Sequence, residues 1–256
     1  MASQNLSNKN NFSFNFILNN QNEKLNLELP FTEHVEELRQ RSLHIVSLLA
    51  LFSLLAFIEI KPIVHLLEIP VDNVKFFQLS PGEYFLETVK IALYAGIILT
   101  SPVFLSQLTF FIIPGLTSNE KNLILPLFFG SIILFFISLG FSYLCLIPAA
   151  LKFFISYSSD VIEPLWSFSQ YCDFILILFS TTGIAFQIPI FQIVLGILGI
   201  ISGQTMLKLW KYVVLIAVII GAVLTPSTDP ITQILLSTAI ILLYFLGAGI
   251  LIVLKR

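Results

Sequence analysis

Six stretches of the chain, residues 42–58, 91–119, 122–151, 174–207, 212–228 and 230–254, contain no Asp, Glu, Lys or Arg. A helix needs about 20 mostly apolar residues to cross the hydrocarbon core of a bilayer. Together the six stretches make up well over half of the 256 residues. A water-soluble fold has no way to hide that much apolar surface. The chain reads as an all-α integral membrane protein with six transmembrane helices. Composition agrees, with 57% hydrophobic and 11% charged residues and a mean hydropathy of +0.94.

Several classes of function are disfavoured at once. The net charge of −2 argues neither for nor against nucleic acid, but no basic block is present that would track a phosphate backbone, so no nucleic-acid partner is expected. Cys145 and Cys172 lack metal-ligand spacing and read as small apolar packing residues. His34, His44 and His65 form neither a ligand set nor a triad, so an intramembrane enzyme is disfavoured and neither metal nor cofactor is expected. No Gly-x-x-x-x-Gly-Lys phosphate loop occurs, so nucleotide hydrolysis would have to come from elsewhere.

The first 30 residues differ from the rest. Nine of them are Asn, and too few are apolar to form a core, so residues 1–30 are expected to be a flexible tail ahead of a membrane domain over 31–256. They show neither a secretory signal nor an Arg-rich transit pattern.

Orientation follows from the basic residues. Lys9, Lys24, Arg39, Arg41, Lys121, Lys208, Lys211, Lys255 and Arg256 fall on one side of the six spans, and Lys61, Lys75, Lys90 and Lys152 on the other. Basic residues favour the cytoplasmic face, or the stroma in a plastid, which places both termini there. The opposite segments, about 59–87 and 149–173, are long and hold prolines and interfacial aromatics, so they are expected to cap the outer face. The fifth span is short: Tyr212 to Leu224 gives 13 residues, or about 20 Å. It calls for bilayer thinning, snorkelling from Lys208 and Lys211, or cover from a neighbouring helix.

Charges beside the membrane come next. Phe31-Thr-Glu-His-Val-Glu-Glu-Leu-Arg-Gln-Arg41 precedes the first span, and Glu33, Glu37 and Arg41 share one helical face. That face reads either as a solvated lip of i,i+4 pairs or as a recognition surface. Glu120 closes a capping box, Thr117-x-x-Glu120, and its plain role is to start the third span. Glu37 and Glu120 presented on one face would also suit a cationic ligand. Arg is the better-matched cation, because its planar fork bonds a carboxylate through two donors.

Within the spans, Gln187 lies about midway along the 174–207 run, and Pro189 cannot donate to the Ala185 carbonyl, which predicts a kink. The amide has two readings: a partner for the freed carbonyl, or a polar point on a face of the bundle. Asp229, in Ser227-Thr-Asp-Pro230, reads as the cap of the sixth span.

These elements resemble the TatC family, the multispanning receptor subunit of the twin-arginine protein translocase. The matching pieces are His34-x-x-Glu-Leu-Arg-x-Arg41, Phe111-Ile-Ile-Pro-Gly-Leu-x-x-x-Glu120, Phe141-x-Tyr143 with Pro148, Phe186-Gln-Ile-Pro189 and Leu224-Thr-Pro-x-x-Asp229. They occur in the family's order over about residues 31–256. The resemblance implies a concave six-helix bundle that exports folded proteins bearing twin-arginine signal peptides, driven by the proton-motive force.

By the same resemblance, Glu37 and Glu120 bind the signal peptide, Arg39 and Arg41 orient them, and Phe111 lies near the signal's path. Gln187 and Pro189 mark an intramembrane contact for a partner, while Tyr143, Pro148 and Asp229 are structural. Small single-span subunits would dock along its sides, and self-association is expected. Many bacterial members carry an acidic residue at the position of Gln187, and an amide cannot carry a proton, so only hydrogen bonding is open to it here. Residue usage and the lack of a transit pattern favour a plastid thylakoid membrane, with a bacterial inner membrane as the alternative. The competing readings are a small-solute transporter and an assembly scaffold, neither of which needs paired carboxylates.

Overall fold

The computed structural model of the chain describes residues 31–71, 75–112, 123–158, 165–224 and 229–254. The tail at 1–30 lies outside the described residues. Ten helices and one pair of short strands make up the described part. In chain order these are α1 (Phe31–Ile58), α2 (Ile60–Glu68), β1 (Lys75–Phe77), α3 (Glu83–Ile112), α4 (Ile124–Phe141), a π-helical turn (Ser142–Leu146) and α5 (Ile147–Ser158). Then follow β2 (Leu165–Ser167), α6 (Phe168–Ala185), α7 (Ile188–Ile197), α8 (Gly203–Lys208), α9 (Trp210–Leu224) and α10 (Pro230–Val253).

Five segments are long and apolar enough to cross a membrane: Leu38–Ile58, Glu83–Thr109, Leu125–Ser158, Phe168–Ile197 and Pro230–Val253. The sixth span is α9, which at 15 residues is the short one. The helices run further than the charge-free stretches that announce them. Glu83, Glu87 and Lys90 lie on α3, Lys152 on α5 and Asp173 on α6, all carried into span ends because backbone hydrogen bonding continues past the first charge.

The chain divides after His44 into two compact units, and the packing that follows is that of Ile45–Arg256. Its largest core joins Val64 and Leu67 of α2, Ile91 of α3, Ile147 and Leu151 of α5, and Phe168, Cys172 and Ile175 of α6. Cys172 packs there as expected of a small apolar residue, whereas Cys145 is exposed on the π-turn, and both thiols are free. A second cluster fastens α7 and α8 to α10 through Ile193, Ile197, Met206, Ala248 and Leu251. A third joins Leu146, Ala185, Ala217, Leu236 and Ile240.

Three of the sequence-selected residues shape how the helices bend, tie together and start. Pro148 has no N–H for the Leu144 carbonyl. Immediately before it the helix loosens, with Ile147 N–H donating to the Ser142 carbonyl five residues back. Tyr143, on the same turn, donates its hydroxyl to the Leu66 carbonyl at 2.9 Å and so fastens α2 to the third span. Asp229 is 1% exposed and caps α10, accepting from Thr232 N at 2.8 Å and from Thr232 Oγ1 at 2.6 Å.

The short α9 is held by α10. Ser237 Oγ donates to the Ala217 carbonyl at 3.1 Å and to the Gln233 carbonyl at 2.7 Å. The helices approach so closely that a methyl group at Gly221 would collide with Ser237 Oγ. Of the three remedies for a short span, cover by a neighbour is the one visible in the packing.

Candidate functional site

The residues selected as a receptor for a cationic signal are unevenly described. Arg39 and Arg41 sit on the charged first turns of α1. Arg39 Nη2 lies 3.3 Å from Glu36 Oε1, with side chains 69% and 48% exposed, and Gln40 Nε2 donates to the same oxygen at 3.4 Å. The local partner of Arg39 is therefore Glu36. An exposed pair one turn apart contributes at most a few tenths of a kcal/mol, about 0.2–0.5, and leaves its members accessible. Arg41 is half-buried and engaged in an interaction of its own. The side chains of Glu37 and Phe111, and the whole of Glu120, lie outside the described residues.

Gln187 and Pro189 are fully described. Pro189 occupies the first turn of α7, and the fourth span breaks there into α6 and α7. Phe186 N–H donates to the Thr182 carbonyl and Gln187 N–H to the Ile184 carbonyl, so the helix end closes with local bonds. The Gln187 amide turns instead to α4. Its Oε1 accepts from Ser131 Oγ at 2.7 Å, and its Nε2 donates to the Ser131 carbonyl at 3.2 Å. A buried amide left without partners costs roughly 2–7 kcal/mol, and this two-point bond removes that penalty while pinning the kink to α4.

Gln187 also lines two adjoining cavities. One, of about 370 Å³, lies among α1, α3, α4 and α6 and is walled by Leu49, Tyr94, Ile98, Ser101, Phe135, Phe179 and Gly183. The other, of about 200 Å³, continues along α3 and α7 past Leu108, Leu127 and Val194. Both are walled by Phe104, Leu105, Ile184 and Gln187. The result is an apolar groove with hydroxyls and one amide on its wall, suited to an apolar helical segment with an occasional polar group.

α3 and α6, two walls of this groove, also carry a cluster of charges that the sequence does not single out. α3 and α6 both begin next to the paired strands, which run parallel with Phe76 opposite Trp166. Close to those helix starts, Lys90 Nζ lies 2.7 Å from Asp173 Oδ1 and 3.0 Å from Glu87 Oε1. Ser169 Oγ donates to the same Glu87 oxygen at 2.7 Å. Toward the strands, Glu83 Oε2 accepts from Leu79 N at 2.6 Å and Glu83 Oε1 accepts from Ser167 Oγ at 3.2 Å. The rings of Phe76, Tyr84, Phe168, Tyr171 and Trp166 pack against one another in edge-on, tilted and stacked pairs, and Tyr171 donates its hydroxyl to the Leu67 carbonyl at 2.6 Å.

Glu87 is 4% exposed, and its Oε2 has no hydrogen-bond partner among the described residues. The only signals in the sequence were the i,i+3 spacing of Glu87 and Lys90 and an acidic residue, Asp173, at the mouth of another span. Among the described residues, no group of three or more His, Cys, Asp or Glu is placed to hold a metal ion.

Comparison with known proteins adds to this geometry. The family model described as Sec-independent protein translocase protein (TatC) matches residues 33–238. An uncharacterized tatC-like protein ycf43 from Trieres chinensis is 56% identical over 246 residues, covering 96% of this chain and 92% of the relative. The Sec-independent protein translocase protein TatC of Synechocystis is 51% identical over 223 residues, covering 87% and 88%. The chloroplastic TATC protein of Arabidopsis thaliana is 46% identical over 225 residues, covering 86% of this chain and 66% of that one. A crystal structure titled twin arginine translocase receptor TatC, in DDM, superposes with a TM-score of 0.76 at 35% identity, covering 85% of this chain and 99% of the other.

Proposed function

The chain belongs to the TatC family of Sec-independent protein translocase proteins, and we propose that it is the subunit that receives twin-arginine signal peptides, with Glu37 and Glu120 taking the two guanidinium groups. It is an integral membrane protein and a translocase component. The observation that carries the proposal is the joint occurrence of the receptor fold over 85% of the chain with carboxylates at both positions. Arg carries five donors in a planar fork, so two carboxylates can hold two arginines through paired hydrogen bonds, and a lysine ammonium fits the same site less well.

The remaining roles follow from the same reading. Arg39 and Arg41 limit how the carboxylates move, and Phe111 packs beside the signal. The apolar groove beside Gln187 accommodates the hydrophobic stretch that follows the arginines. Gln187 contributes a hydrogen-bonding group and no titratable proton. Small single-span subunits and further copies of the chain are the working partners. The proton-motive force is the energy source. The setting is a thylakoid membrane, in keeping with the chloroplastic relative and the cyanobacterial one.

The test is binding of a twin-arginine signal peptide to the protein in membranes, beside its Lys-Lys version and the Glu37→Gln and Glu120→Gln variants. Selective loss with the Lys-Lys peptide and in both variants is the expected result. Equal binding throughout would reduce the carboxylates to helix caps and reopen the transporter and scaffold readings.

A further inference from the structure

We infer that the layer formed by Lys90, Glu87, Asp173 and Ser169 is a permeability seal, closing the apolar groove between α3 and α6 against passage of water and small ions toward the paired strands. The inference does not depend on what the groove receives.

Three observations carry it. The first is position. On α3 the groove wall begins at Tyr94, one turn beyond Lys90, and on α6 it begins at Phe179, beyond Asp173. Both helices start at the strand pair, so the charged layer lies between the groove and that end of the unit.

The second is connectivity. A single ammonium joins two carboxylates on different helices, Asp173 at 2.7 Å and Glu87 at 3.0 Å, and Ser169 returns a third bond from α6 to Glu87 at 2.7 Å. These bonds tie α3 to α6 at that level. Beside the strand pair, the rings of Phe76, Tyr84, Trp166 and Phe168 pack with one another and with Tyr171.

The third is asymmetry of burial. The Glu87 side chain is 5% exposed, that of Lys90 36% and that of Asp173 49%, so the dry member of the layer is Glu87, one turn nearer the strand-bearing start of α3 than Lys90. A seal between the apolar groove and the strand-bearing end calls for a dry member on that side, because a buried, bonded carboxylate leaves water no place there.

Accessibility of the groove to a small charged thiol reagent tests the inference. A Ser180→Cys reporter in the groove wall is introduced into the full chain carrying Cys145→Ala, in sealed vesicles. The same protein without the reporter measures background from Cys172. A trimethylammonium methanethiosulfonate is added on the strand-bearing side. The reporter is expected to react at the background rate, and Lys90→Met to raise that rate at least tenfold. Lys90→Arg is expected to keep the low rate, and the exchange Lys90→Asp with Asp173→Lys to bring it back. Where Lys90→Met does not accumulate as folded protein, Asp173→Asn takes its place with the same direction of change. An unchanged rate in a folded Lys90 or Asp173 variant, or rapid labelling of the reporter from that side with the layer intact, would overturn the inference.

Discussion

Two groups of charges sit at helix starts in this protein and behave in opposite ways. At the start of α1, Glu36 and Arg39 pair within a single turn, 48% and 69% exposed. At the start of α3, Glu87 and Lys90 have the same i,i+3 spacing, yet Lys90 reaches across to Asp173, 83 residues away, and Glu87 is buried. The spacing is alike and the chemistry is not. Charges whose partners come from distant segments hold the fold together, while charges paired only with their own turn remain available to a ligand. A receptor for an arginine-bearing segment belongs with the second kind and a structural tie with the first.

The largest expected effect breaks the comparison at its structural member. Lys90→Met leaves the buried Glu87 carboxylate with Ser169 alone. Breaking a fully buried pair costs about 3–5 kcal/mol. Because Lys90 keeps a third of its side chain in water, the expected loss is nearer 2–3 kcal/mol. Thermal unfolding in detergent reads it, and a midpoint equal to that of the native protein would place these charges with the locally paired kind.

The ligand-facing member comes second. Glu37→Gln and Glu120→Gln are each expected to weaken twin-arginine peptide binding about tenfold, the loss of a charge-assisted hydrogen bond of about 1.5 kcal/mol, with unfolding unchanged. A binding titration alongside the same melting assay separates the two. A variant that melts early but still binds would turn the assignment around.

Gln192 sharpens the contrast from a third direction, since among the described residues its amide has partners of neither kind. It is 6% exposed, and neither atom of its amide is hydrogen-bonded among the described residues. Gln192→Met keeps the length and removes the buried polar atoms, so stability should rise by about 1–2 kcal/mol. A fall in the melting midpoint would mean the amide has a partner. The smallest effect belongs to Glu36→Gln, which should change stability by less than about 0.5 kcal/mol. A loss above 1 kcal/mol in the same measurement would remove the distinction between the two charged regions.

Much of the architecture was legible in the sequence because a bilayer is a severe solvent. Charge-free runs had to become helices, since hydrocarbon offers no other partner for a backbone N–H. The short fifth span, the break at Pro189 and the cap at Asp229 followed from local rules about length, a missing donor and a side-chain acceptor. The recognition carboxylates were legible as a pair only through the family's motif order, because 83 residues separate Glu37 from Glu120 and spacing alone cannot join them. The strand-end layer was not legible. Lys90 read only as one of the basic residues on its side of the spans, and pairing a carboxylate with an ammonium that far along the chain needs a fold to bring them together.

The sequence by itself thus determined the solvent, the number of spans, where they break and which ends carry the charge, all of which depend on neighbours within a turn or two. Only the tertiary structure decided where Gln187 finds its partner, which charges face one another, and where the groove ends. The Gln187 amide satisfies itself on Ser131, 56 residues earlier, instead of on the carbonyl that Pro189 frees beside it. Contacts of that kind depend on how helices pack, and packing is set by the shapes of many side chains at once.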